Sequence, residues 1–91
     1  MRVADQIRRK LTAGLAPARL EVIDESHLHA GHVGARPEGE SHFRVEIVSR
    51  AFHGKPPVDR QRLVYRILAE ELAGGVHALV VKALTPREEG G

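Results

Sequence analysis

Residues 20–49 read LEVIDESHLHAGHVGARPEGESHFRVEIVS, and the two ends of this stretch decide the fold. At the C-terminal end, Phe43, Val45 and Ile47 alternate with His42, Arg44 and Glu46. That period of two is the mark of a strand with one buried face, and it assigns a strand to His42–Ser49. At the N-terminal end, Leu20–Asp24 reads as a second short strand. Between them Gly31, Gly34, Pro37 and Gly39 mark a long polar loop. The loop carries His27, His29 and His32, half of the chain's six histidines, and His77 stands apart near the C-terminal end.

Working outward, residues 1–15 have the spacing of an amphipathic helix, with Val3, Ile7 and Leu11 on one stripe and Ala4 and Leu15 beside it. Gly14 and Pro17 are expected to end it. On the other side, RAFHGKPP at 50–57 is a connector. A second helix is expected over 58–73, with Leu63, Val64, Ile67, Leu68 and Leu72 on its apolar face and Gly74-Gly75 at its end. Arg60, Gln61, Arg62, Arg66, Glu70 and Glu71 are expected mostly on its solvent side. Val76–Leu84 reads as a third strand. The order is αββαβ, and the only surface able to bury both helical stripes is one face of the sheet. The expected fold is therefore α+β: a two-layer sandwich with a three-stranded mixed sheet and helices on one face. It forms one domain over 1–86 with a flexible tail at 87–91.

Composition narrows the function. With 91 residues there is one small core and little room for a deep pocket. Aromatics make up 3%, few for a protein that stacks bases. The net charge of +2 permits nucleic-acid contact without demanding it. No cysteine is present, so disulfides, thiol nucleophiles and self-contained thiolate metal sites are excluded. No apolar run reaches membrane-spanning length and the N-terminus lacks a signal-peptide core, so a cytoplasmic location without membrane contact is expected. There is no nucleophile with an adjacent base, no phosphate-cradling loop at a strand-to-helix junction and no paired carboxylates. No catalysis is expected.

Three segments together resemble the BolA family: Glu40-Ser41-His42-Phe43-Arg44-Val45, the connector from Ser49 to Gly54, and Val76-His77-Ala78-Leu79. The resemblance runs over nearly the whole domain. It implies a fold like the class II KH domain and association with a monothiol glutaredoxin around a shared [2Fe–2S] cluster. It also implies, as an alternative role, DNA binding and transcriptional regulation. By the same resemblance His77 corresponds to the histidine taken to ligate the cluster and His29 to the loop ligand, with His32 as a substitute or accessory. The family's Arg-His-Arg at the start of the long helix is Arg60-Gln61-Arg62 here, so its middle position cannot supply an imidazole.

The chemistry of the donors fits this expectation. Imidazole suits iron, and histidine in place of thiolate at one iron of a [2Fe–2S] centre raises its potential. A chain without cysteine needs thiolates from a partner, which a monothiol glutaredoxin with glutathione provides. The competing expectation is DNA binding through Lys55, Arg60, Arg62 and Arg66, on and before the second helix. Gly31-His32-Val33-Gly34 spells the GxxG of KH domains, but it lies between strands, where those domains place theirs between helices. It is read as coincidence.

Overall fold

The computed structural model describes residues 2–26 and 41–90. The elements run α1 (Val3–Leu15), β1 (Arg19–Asp24), β2 (His42–Val48), a 3-10 turn (Arg50–Phe52), α2 (Pro57–Ile67), α3 (Ala69–Ala73), β3 (Ala78–Leu84) and α4 (Pro86–Gly90). β2 is central, antiparallel to β1 and parallel to β3, which gives the expected mixed sheet in the order β1-β2-β3. The parallel pairing follows from the α2–α3 crossover between β2 and β3.

Register puts Val22, Val45 and Val81 in one row and Leu20, Ile47 and Ala83 in the next, all on the helix-covered face. Ile7, Leu11 and Leu15 from α1 and Val64 and Leu68 from the crossover close over them. Phe43 and Phe52 are also enclosed. At about 25 cal/mol per Å2 of apolar surface, this cluster is the main stabilising term in a domain of this size.

Gly14 does not end α1. The left-handed turn falls on Ala16 (φ 43°, ψ 57°), whose N–H bonds to the Thr12 carbonyl at 3.1 Å. Gly14 instead lets two helices approach, since a Cβ there would lie 3.1 Å from Ile67 Cδ1. The expected single helix over 58–73 breaks at Leu68 (φ −100°, ψ 22°), a buried residue. The short α3 that follows brings Glu70 and Glu71 to Lys10 of α1, at 2.9 and 2.8 Å. Those two carboxylates hold the Lys10 pKa above its ordinary value.

Arg60 is the largest departure from the amphipathic pattern. It is 8% exposed rather than on the solvent side. Its guanidinium donates to the carbonyls of Lys55 (2.7 Å) and Ala83 (3.0 Å) and to both carboxylate oxygens of Glu88 (2.6 and 3.1 Å). Glu88 lies within the stretch expected to be a tail. It sits in a helical turn whose start is a reciprocal capping box: the Glu88 N–H donates to Thr85 Oγ1, and the Thr85 N–H donates to Glu88 Oε1. Pro86 suits the first helical position.

The Arg60 guanidinium, helped by the Thr85 N–H, pulls the Glu88 carboxyl down from 4.5 to about 2. A carboxyl depressed by folding stabilises the fold fully above its unfolded pKa and loses that contribution as pH falls through the folded one. The α4 clasp is therefore expected to hold at pH 4.5 and to loosen as pH approaches 2, read from the amide shifts of Glu88–Gly90. Glu88→Gln should remove this step. Loosening centred above pH 4.5 would contradict the pairing.

Candidate metal-ligand site at one end of the sheet

The ends of β1 and β2 nearest the loop are stitched together by two buried serines. Ser26 Oγ accepts from the N–H of Ser41 (2.9 Å) and of His42 (3.2 Å). The Ser26 N–H donates to Asp24 Oδ1 at 2.9 Å, and the Glu25 N–H donates to the His42 carbonyl at 2.8 Å. Ser26 and Ser41 are the residues that flank segment 27–40, so both roots of that segment are held in one place. The Ser41 carbonyl also accepts from the N–H groups of His77 (2.7 Å) and Ala78 (3.3 Å). This bond anchors the start of β3 at the roots of the segment.

His77 stands at the turn into β3, one residue before the strand, and its side chain is exposed. Val76 before it is buried and holds the turn against the core. The ring centroids of His42 and His77 are 6.3 Å apart at an interplanar angle of 37°. His42 lies on the sheet face opposite Phe43, as the strand alternation suggests, yet it is only 9% exposed, and its Nδ1 is 2.8 Å from Ser41 Oγ. It was missed as a neighbour of His77, because the pairing of His42 with Ala78 is a property of register across a crossover.

His29 and His32, with His27 and the Gly31–Gly34 motif, lie outside the described residues. The described residues contain no group of three His, Asp or Glu side chains placed to hold a metal ion. Beside the roots of segment 27–40, which carries three more histidines, they present one exposed imidazole, His77. Such a donor set suits a co-ligand that completes a centre held in part by another molecule.

The expected nucleic-acid residues separate. Arg60 is withdrawn into the Glu88 clasp. Lys55, Arg62 and Arg66 are exposed, and Arg62 lies 3.7 Å from Asp59. Of the aromatic side chains, Phe43 and Phe52 are buried, and the half-buried Tyr65 donates its hydroxyl to the Leu79 carbonyl at 2.7 Å. The Ser41–His42 pair has the bond length of a nucleophile and its base, but Ser41 is fully buried. No described helix is long and apolar enough to cross a membrane.

The family model described as BolA-like protein matches residues 11–88, and the chain belongs to this family. Among its relatives, SufE-like protein 1 of Arabidopsis thaliana is 49% identical over 91% of this chain, which spans 24% of that longer protein. The DNA-binding transcriptional regulator BolA of Escherichia coli is 42% identical over 97% of this chain and 80% of its own length. The structure of BolA1 from Arabidopsis thaliana superposes with a TM-score of 0.86 at 44% identity, covering 97% of this chain and 96% of that one.

Proposed function

We propose that this protein is an adaptor that supplies histidine ligands to a [2Fe–2S] cluster shared with a monothiol glutaredoxin, in cluster trafficking or iron and redox regulation. The observation that carries this reading is the exposed His77, fixed by its backbone bond to Ser41 at the roots of the segment that holds His29 and His32. His29 is three residues past Ser26 in the chain, and Ser26 is locked to β2. A buried clasp of this kind holds Ser26 and Ser41 in place before any ligand arrives, which lowers the entropy that ligation must overcome. The thiolates come from the glutaredoxin and its glutathione, because this chain has no cysteine. When bound, the cluster supplies one-electron redox chemistry and a transferable iron–sulfur unit. The residues of this chain supply ligation and orientation and carry out no covalent step.

Titrating cluster-loaded monothiol glutaredoxin with this protein tests the reading. The visible circular dichroism of the cluster should change and saturate at a fixed ratio of the two proteins. A spectrum that remains unaltered at excess protein would overturn it.

A second reading is favoured by the name of the Escherichia coli relative: a DNA-binding transcriptional regulator. In this chain it would rest on Lys55, Arg62 and Arg66, since Arg60 is committed to Glu88. Three phosphate contacts imply a shallow salt dependence and weak binding at physiological ionic strength.

A further inference from the structure

The opposite end of the sheet carries a second concentration of side chains that the adaptor role leaves unused. His42 pairs with Ala78 at one end of the parallel ladder and Val48 with Leu84 at the other, roughly 20 Å away at about 3.3 Å per residue. Just past that far end, Arg50, His53, Thr85, Pro86 and Arg87 line a depression of about 360 Å3. Arg50 and His53 come from the 3-10 turn and its C-cap, and Arg87 comes from α4.

All three basic side chains are exposed, and none has an ion pair or side-chain hydrogen bond among the described residues. The acids next to Arg87 in sequence are drawn off elsewhere, Glu88 to Arg60 and Glu89 to Arg19. No carboxylate lines the depression. It therefore gathers two full positive charges, one from each arginine, with an imidazole beside them and no counter-charge. Such a concentration raises the local potential and attracts an anion.

We propose that this depression binds a dianionic phosphate monoester. A monoester carries about −1.5 to −2 charges near neutral pH and three acceptor oxygens, matching two guanidiniums. Each guanidinium presents a planar fork that fits phosphate oxygens in pairs. A carboxylate or a phosphodiester, with a single charge, would leave one arginine uncompensated. The His53 ring adds a further N–H donor. The volume falls within the range of about 300–1,000 Å3 typical of small-molecule sites, room for the phosphate and a small organic body. The site is independent of His77 and of the adaptor role.

The test is a titration of the 15N-labelled protein with phenyl phosphate, followed by amide shifts at constant ionic strength, with short duplex DNA as a second arm. Saturable shifts confined to Arg50–Gly54, Thr85 and Arg87 are expected. Arg50→Ala and Arg87→Ala should each weaken binding by about tenfold or more, the loss of one charge-assisted contact. Both side chains are exposed and unpartnered, so the rest of the spectrum should be unchanged, and His77→Ala should have no effect on this binding. Shifts that grow linearly without saturating, or full affinity in Arg87→Ala, would overturn the assignment. So would saturation by DNA but not by phenyl phosphate.

Discussion

Phe52→Ala should destabilise the protein by about 3–5 kcal/mol, the usual cost of truncating an enclosed phenylalanine. The ring is 0% exposed, although it projects from a 3-10 turn in the connector rather than from a helix or strand. The turn is itself held from both sides. Ser49 Oγ accepts from the Ala51 N–H at 3.1 Å and donates to the Leu15 carbonyl at 2.6 Å, tying the connector to the end of α1. A fixed backbone cannot collapse into the void, so the loss should fall at the upper end of the range. Against a total stability of about 5–15 kcal/mol for a domain this size, that is a large share. Urea denaturation measures it, and a loss below about 1 kcal/mol would mean the connector is free to repack.

In the proposed adaptor role His77→Ala should have the largest functional effect: complete loss of the spectral change expected when the protein is added to cluster-loaded glutaredoxin. The substitution removes the exposed imidazole at the anchored end of β3 and leaves the backbone bond to Ser41 in place. Stability should therefore move by no more than about 0.5 kcal/mol, as for most surface changes, so the loss of signal cannot be ascribed to unfolding. His29→Ala should weaken the change without abolishing it if His32 substitutes, and the double variant His29→Ala/His32→Ala separates the two. Retention of the full signal by His77→Ala would place the ligand elsewhere.

Much of the architecture was legible because it depends on short-range periodicity. The alternation of Phe43, Val45 and Ile47 and the stripe of Ile7 and Leu11 found their buried faces as expected. The crossover helix made the parallel pair of β2 and β3 a consequence of connectivity. Errors gathered where a local pattern competes with a distant partner. Arg60 sits among polar neighbours and reads as solvent-facing, yet Glu88, 28 residues on, draws it inward. The signal that could have found that contact is the sequence Thr85-Pro86-Arg87-Glu88, a capping box with proline at the first helical position. It marks a helix start where a frayed tail was expected. Gly14 misled in a similar way, because its role is the close approach of Ile67 rather than a helix end.

The candidate site was legible in part. His77 is a candidate by its place in Val76-His77-Ala78-Leu79, and its N–H bonds to the Ser41 carbonyl one residue before β3. Ser26 and Ser41 carried no periodic signal, since their role is to join two strand ends 15 residues apart in the chain. His42 looked like an ordinary outward residue of β2 until register set it beside the start of β3.

The most direct measurement uses this protein labelled with 15N in its histidines and mixed with unlabelled, cluster-loaded monothiol glutaredoxin. Pulsed electron paramagnetic resonance of the reduced cluster should show strong 15N coupling from an iron-bound imidazole, and His77→Ala should remove it. A reduced cluster with no 15N coupling from the labelled chain would contradict histidine ligation by this protein.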